Sequence, residues 1–112
     1  MTELTDKIKA LAELELQDAN ANHPQFHSLH EGYAVLLEEL EEATEALEEA
    51  EAMRKILWIH VRRDDAAMAH SFAARLEKAA AELAAEAVQC SAMARKMLDF
   101  CQSGIQEVSH ND

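Results

Sequence analysis

The scarcity of chain-breaking residues constrains the fold of this chain more than any other feature. Across 112 residues there are two glycines, Gly32 and Gly104, and one proline, Pro24. The good helix formers Ala, Leu, Glu, Lys and Met dominate the remainder. Only 4% of the residues are aromatic, which together with this composition argues against sheets. The sequence therefore predicts an all-α protein built from long helices.

Local signals divide the chain into three predicted helices, at about 2–17, 28–62 and 65–101, followed by a frayed tail at 103–112. The polar residues around Pro24 separate the first two helices. Ser28, with Glu31 three residues later, forms a capping box at the second helix. The cations Arg62 and Arg63 suit the C-terminus of the second helix, and the anions Asp64 and Asp65 suit the N-terminus of the third, because these charges interact favourably with the helix dipoles. We expect one domain, 1–112, in which a long antiparallel helical hairpin packs beside a shorter N-terminal helix.

Each predicted helix carries an apolar stripe at helical spacing. The three stripes are Leu4, Ile8, Leu11 and Leu14 in the first helix, Leu36, Leu40, Ala43, Leu47 and Ala50 in the second, and Leu76, Leu83, Ala87, Cys90, Ala94 and Met97 in the third. A hairpin of this size leaves much apolar surface open. We therefore expect a homodimer or homotetramer that completes four-helix-bundle packing.

The strongly acidic composition narrows the choice of partner. A formal net charge of −12 would repel a phosphate backbone, so we expect no nucleic acid partner. No run approaches the roughly 20 apolar residues of a membrane span, and no basic segment precedes an apolar one at the N-terminus. Cys90 and Cys101 lie about 16 Å apart along one predicted helix, too far to bridge. We expect a cytoplasmic protein with reduced thiols and no membrane partner.

Most glutamates between Glu31 and Glu51 are explained by a solvated helix face. At about 100° per residue, Glu39 instead falls inside the apolar arc of the second helix. Glu38 and Glu42 fall just beyond its edge. A carboxylate inside a packing face is costly unless it is paired or binds a metal.

The third helix repeats this arrangement, with Glu86 beside its seam and Glu82 and Gln89 flanking it. If the two seams face each other, several oxygen-bearing side chains converge. Hard oxygen ligands select Mg²⁺, Mn²⁺ or Ca²⁺ over zinc. A buried salt-bridge network to Lys or Arg would satisfy the same groups, and the spacing leaves both interpretations open.

Two segments resemble the MazG-like all-α nucleoside triphosphate pyrophosphohydrolases. Residues 30–43, with Glu38-Glu39-Leu40-Glu41-Glu42, are similar to the family's first metal-binding helix, in which two adjacent Glu and two variable residues precede a third Glu. Residues 86–94 resemble the later metal-binding helix, especially that of phage- and prophage-type members. The resemblance covers roughly residues 26–100. It implies that water cleaves the α–β phosphate bond of a nucleoside triphosphate, NTP or dNTP, to give the monophosphate and pyrophosphate with Mg²⁺ as cofactor, or Mn²⁺ in its place.

The resemblance also implies roles for individual residues. The metal ligands would be Glu38, Glu39, Glu42, Glu86 and Gln89, and the catalytic residues Glu39 and Glu82. Gln89 departs from the family, because an Asp usually stands three residues after the second-motif Glu. This neutral amide weakens the charge of the site, and Glu82, one turn before Glu86, would compensate. The segment between the motifs is also longer than is usual in the family.

Candidate substrate-binding residues lie at the start of the second helix and in its basic second half. They are His30, Glu31, Arg54, Lys55 and Trp58. Helix-end charges and pairing with Glu51 explain the basic residues equally well. His27 and His30 fit capping or surface positions, with nucleotide contact as the alternative.

Two further functions fit the same sequence. A non-catalytic helical interaction or adaptor protein would show the same seams and the same acidic exterior, but its Glu39 and Glu86 would be paired with basic side chains or exposed. A degenerate family member would bind nucleotide without turnover, and Gln89 favours that alternative. A di-iron bundle needs two Glu-x-x-His motifs, whereas the chain has one, at Glu107 and His110.

Overall fold

The computed structural model describes the backbone of residues 2–23 and 25–111 and the side chains of 2–23 and 25–105. This part of the chain is all-helical, which confirms the predicted class. Its elements are α1 (Thr2–Asn22), α2 (Leu29–Arg62) and α3 (Ala66–Asn111). None of the described helices is long and apolar enough to cross a membrane. Pro24, at the centre of the predicted first break, lies outside the described residues.

Side-chain caps fix the starts of α2 and α3. The Glu31 backbone N–H donates to Ser28 Oγ at 3.1 Å, so Ser28 is the N-cap of α2, as the capping box predicts. The Met68 N–H donates to Asp65 Oδ1 at 3.1 Å at the start of α3. Both helices therefore begin one residue after the predicted position, because the capping residue itself stands outside the helix.

A three-residue connection, 63–65, joins α2 to α3. Asp64 has a φ of 52°, in the left-handed region that Asp tolerates better than most residues. Its N–H donates to the Val61 carbonyl at 3.0 Å, and the Asp65 N–H donates to the His60 carbonyl at 3.0 Å. These bonds satisfy carbonyls at the end of α2 and turn the chain back on itself.

Two helices are longer than the sequence signals indicate. α1 continues to Asn22, five residues past the predicted end, and the His23 N–H still donates to the Ala19 carbonyl at 2.8 Å. The polar residues here are therefore helical because their backbone bonds are made, despite their weak propensity. α3 continues from the predicted end at Cys101 to Asn111. The predicted frayed tail, 103–112, lies mostly outside the described side chains.

The chain divides into two compact units. Unit 1 comprises residues 1–40 and 88–112, and unit 2 comprises residues 41–87. The boundary between the units falls inside α2 and α3 and not in a loop, which explains why no sequence breaker marks it.

The core of unit 1 is built on small side chains. Ala12 and Leu16 of α1 are buried with Ala92 and Met93 of α3. Ala92 is fully buried, which allows close approach of the helices. The apolar stripe of α1 is not its buried face, since Leu4, Leu11 and Leu14 are more than half exposed. α1 packs instead through the neighbouring face around Ala12.

Gly32 allows a second close contact in unit 1. A Cβ at this position would lie 2.6 Å from Met97 Sδ and 3.0 Å from Phe26 Cδ2. Phe26 is buried and meets Phe100 edge-to-face, with ring centroids 6.3 Å apart. Only the absence of a side chain at Gly32 leaves room for this packing.

Unit 2 is an antiparallel hairpin formed by the second half of α2 and the first part of α3. The buried and half-buried positions recur at spacings of three and four along both helices. On α2 they are Ala43, Ala46, Ala50, Met53, Leu57 and His60, and on α3 they are Phe72, Leu76, Ala79, Leu83 and Glu86. The His60 ring stacks on Phe72 with centroids 5.4 Å apart. The predicted α2 seam is therefore only partly right, because Leu40 and Leu47 are 53% and 48% exposed.

Candidate metal centre

Two carboxylates from different helices meet in unit 2. Glu42 of α2 and Glu86 of α3 present side-chain oxygens within 4.8 Å of each other. Glu86 is half-buried because it occupies an inward position of the α3 heptad pattern, whereas Glu42 is exposed. The antiparallel hairpin brings them together although 43 residues separate them in the sequence.

Glu39 adds a third carboxylate one helical turn before Glu42 on α2. Residues three apart on a helix lie on neighbouring positions of its surface, and the Glu39 oxygen lies within 4.8 Å of that of Glu42. Glu39 is half-buried. Glu39 belongs to unit 1, whereas Glu42 and Glu86 belong to unit 2.

The spacing of these oxygens suits a hard divalent cation. Two oxygens bound to one Mg²⁺ at about 2.1 Å lie at most about 4.2 Å apart, and for Ca²⁺ at about 2.4 Å the limit is about 4.8 Å. Small side-chain rotations cover the difference. Carboxylate oxygens are the ligands that Mg²⁺, Mn²⁺ and Ca²⁺ prefer. In the described part of the chain, Glu86 takes part in no ion pair with a basic side chain.

Other predicted ligands of this centre lie around it. Glu38 and Glu82 are exposed, and neither belongs to the cluster of described residues whose oxygens converge. Glu82 stands one turn before Glu86 on α3, and Glu38 directly precedes Glu39. Within unit 2, the structure therefore brings together Glu42 and Glu86 out of the wider predicted set.

Gln89 makes a contact that the sequence analysis missed. Its amide nitrogen donates to Glu15 Oε2 of α1 at 2.7 Å within unit 1. An Asp at this position would place a second carboxylate against Glu15. The departure from the family pattern thus has a local physical reason, since an amide donor complements the α1 carboxylate.

Of the two predicted substrate residues at the start of α2, Glu31 borders a cavity in unit 1. The cavity has a volume of about 440 Å³, and its lining includes Phe26, His27, Glu31 and Lys96. His27 Nδ1 lies 2.9 Å from Glu31 Oε2, and this hydrogen bond lowers the pKa of the Glu31 carboxyl. His30 is exposed.

Lys96 is the buried cation of this cavity. It is only 5% exposed, and its Nζ donates to the His23 carbonyl at 2.6 Å and lies 4.9 Å from the Phe26 ring centroid. It occupies an inward position of α3 between Met93 and Met97, and it was not among the candidates predicted from the sequence. A lysine flanked by apolar residues at helical spacing was the pattern that would have revealed it.

The basic candidates of α2, Arg54 and Lys55, lie in unit 2. Arg54 Nη2 donates to Glu51 Oε2 at 2.8 Å, which lowers the pKa of Glu51 and raises that of Arg54. The Arg62 guanidinium lies 5.8 Å from the exposed Trp58 ring. Lys55 is exposed. Arg54 is therefore paired with Glu51, as the alternative to substrate binding predicts.

Comparisons with family models, with curated proteins and with solved structures give no match for this chain. The resemblance to MazG-like hydrolases therefore rests on the two glutamate motifs themselves.

Proposed function

We propose that this protein is a Mg²⁺-dependent nucleoside triphosphate pyrophosphohydrolase of the MazG-like type. It would cleave an NTP or dNTP to the monophosphate and pyrophosphate. The observation that carries the proposal is the approach of Glu42 and Glu86 to within 4.8 Å, with Glu39 one turn away. These are the positions that both glutamate motifs of the family resemblance single out.

The three carboxylates have the donor chemistry that the proposal needs. Glu39, Glu42 and Glu86 would hold Mg²⁺, or Mn²⁺ in its place, through one oxygen each. A bound divalent cation supplies charge neutralisation for substrate phosphates and a lowered pKa for bound water. Glu39 and Glu86 are half-buried, so helix packing limits the rotation of these two ligands.

The neighbouring exposed carboxylates would serve the water nucleophile. Glu82, one turn before Glu86 on α3, would accept a proton from an attacking water. Glu38 would add a further oxygen from α2. Gln89 is engaged by Glu15 through its nitrogen, and its carbonyl oxygen remains the atom with which it would act as a ligand.

Release of pyrophosphate tests this proposal. Purified protein is incubated with canonical and modified nucleoside triphosphates in the presence and absence of Mg²⁺, and pyrophosphate and monophosphate are quantified. We expect Mg²⁺-dependent formation of equimolar products, lost in Glu39→Gln. Glu45→Gln, an exposed change on the opposite side of α2, is the matched control and retains the activity.

Two results would overturn different parts of the proposal. Absence of product from every triphosphate, together with absence of Mg²⁺ and nucleotide binding by calorimetry, would exclude the hydrolase. Full activity in Glu39→Gln would retain a hydrolase but relocate its site.

A non-catalytic interaction role is the second candidate. The exposed apolar side chains along α2, among them Tyr33 at 64% and Trp58 at 56%, favour it. Binding of Mg²⁺ without turnover would point to this role or to a degenerate family member that retains the site.

A further inference from the structure

The segment of α2 in unit 2 carries a second stripe, shifted by one residue from its buried face. Its members recur at spacings of three and four and are all exposed. They are Thr44, Leu47, Glu51, Arg54, Trp58 and Val61. Leu47, Trp58 and Val61 are 48%, 56% and 50% exposed. This stripe lies about 100° around α2 from the buried face, and we call it the outer stripe.

The outer stripe is symmetric about its own centre. Midway along it, Glu51 and Arg54 form an ion pair with an N–O distance of 2.8 Å. In an antiparallel pair of such helices related by a two-fold axis at this midpoint, Leu47 lies opposite Trp58 of the second copy. Glu51 lies opposite Arg54, so that two acids and two bases alternate around the axis. Leu47 and Trp58 thus cover each other in both symmetry-related contacts, and Val61 lies opposite Thr44.

The charges beside the outer stripe also favour antiparallel pairing of the two helices. Along one edge, exposed residues recur every seven positions as Glu41, Glu48, Lys55 and Arg62. Antiparallel pairing brings equivalent edges together, so Glu48 lies beside Lys55 of the second copy and Glu41 beside Arg62. A parallel pair in register would not match these opposite charges.

The other edge of the outer stripe is already occupied. Ala43, Ala50 and Leu57 are buried or half-buried in the hairpin of unit 2. The outer stripe therefore lies between a packed edge and a charged edge, with apolar residues on both sides of the central Glu51–Arg54 ion pair. Such an arrangement is typical of a helix that packs on two neighbours at once.

We propose that α2 docks antiparallel against α2 of a second copy of this chain through the outer stripe. The interface is isologous, with its two-fold axis between Glu51 and Arg54. The proposal is independent of the hydrolase proposal, because it uses no residue of the candidate metal centre. Arg54, Lys55 and Trp58 thereby acquire a role as contact residues between two copies.

Trp58 makes the association directly observable, since it is the only tryptophan of the chain. Its indole becomes shielded from water when Leu47 of the second copy covers it. Sedimentation equilibrium of the full chain over a wide concentration range should show a monomer–dimer equilibrium. Over the same range the Trp58 emission maximum should shift to shorter wavelength with the same midpoint.

Charge reversal tests the orientation. Glu48→Lys and Lys55→Glu should each weaken dimerisation by about 10-fold, because each places two like-charged pairs in the interface. The double variant Glu48→Lys/Lys55→Glu should restore the wild-type dissociation constant. The two positions are seven residues apart and make no contact within one helix, so restoration reports a contact between chains. Glu45→Lys and Lys78→Glu are matched exposed controls that should leave association unchanged.

Three outcomes would overturn the proposal. They are a chain that stays monomeric at all concentrations, a dimer whose Trp58 emission does not change, and a double variant no better than the single ones. Circular dichroism of each variant establishes that the helices are intact. Loss of pyrophosphohydrolase activity would leave these association results unaffected, so failure of either proposal is recognisable on its own.

Discussion

The carboxylate oxygens of Glu42 and Glu86 lie within 4.8 Å of each other across the hairpin of unit 2. Like charges at this distance repel by about 1 kcal/mol even in a solvent-like medium. A divalent cation bound between the two carboxylates would reduce this repulsion. Both consequences are measurable.

Glu86→Gln should have opposite effects without and with a divalent cation. In EDTA the variant should melt about 4 °C above the wild type, because one repelling charge is gone. In Mg²⁺ the wild type should gain stability through ligand binding, and the variant should not. Thermal unfolding followed by circular dichroism measures both, with Glu45→Gln as the control. An equal Mg²⁺ response in Glu86→Gln and wild type would contradict the role of Glu86.

Gln89→Asp should destabilise unit 1, because it replaces an amide donor 2.7 Å from Glu15 by a second carboxylate. We expect a loss of about 1–3 kcal/mol in the free energy of unfolding. Glu15→Gln combined with Gln89→Asp should recover most of it, since a donor and an acceptor again face each other. Urea unfolding of both single variants and the double variant measures this coupling, and purely additive losses would refute the contact.

The two glycines should respond in opposite directions to substitution by alanine. Gly32→Ala should destabilise by about 1 kcal/mol, because overpacking against Met97 and Phe26 exceeds the gain in helix propensity. Gly104→Ala should stabilise by about 0.5–1 kcal/mol, since nothing lies within 4 Å of the new Cβ. Denaturant titrations of the pair give the comparison. A stabilising Gly32→Ala would mean that Met97 moves aside freely.

The His27–Glu31 hydrogen bond predicts an acid-sensitive contribution to stability. It lowers the pKa of Glu31 in the folded state below the ordinary value of 4.5. This contribution is therefore present above about pH 4.5 and is lost as the pH falls through the folded-state pKa. In a carbon-detected NMR titration, His27→Ala should move the Glu31 midpoint up towards 4.5. An unchanged midpoint would show that another group lowers it.

The sequence predicts the helical class and the helix starts well because these depend on local chemistry. Ser28 and Asp65 cap their helices through contacts three residues away, which spacing alone reveals. The predicted end of α1 was wrong. The backbone hydrogen bond from the His23 N–H to the Ala19 carbonyl continues the helix despite the poor helix propensity of the asparagines. Boundary positions of this kind depend on packing.

The buried faces were harder to predict because the apolar arcs are wider than the contacts. On α1 the large residues Leu4, Leu11 and Leu14 are exposed, whereas the small Ala12 is buried. Side-chain size alone therefore selects the wrong face. On α2, Leu47 belongs to an exposed stripe that is shifted by one residue from the buried positions, which include Ala46 and Ala50.

The candidate site could be predicted only in part. The angular positions of Glu39 and Glu86 beside apolar seams distinguish them from the solvated glutamates. The resemblance to the MazG-like family predicts that both bind the same metal ion. The contacts of Gln89 with Glu15, and of Lys96 with His23, link residues more than 70 positions apart. No local pattern reports such pairings.

Binding of Mn²⁺, followed by the electron paramagnetic resonance signal of the free ion, tests the metal centre most directly. The account predicts one bound Mn²⁺ per chain that Mg²⁺ displaces. Glu42→Gln and Glu86→Gln should each lose this binding, while Glu45→Gln retains it. If wild-type protein binds no Mn²⁺, or if both site variants bind it as tightly as Glu45→Gln does, the metal centre formed by Glu39, Glu42 and Glu86 is contradicted.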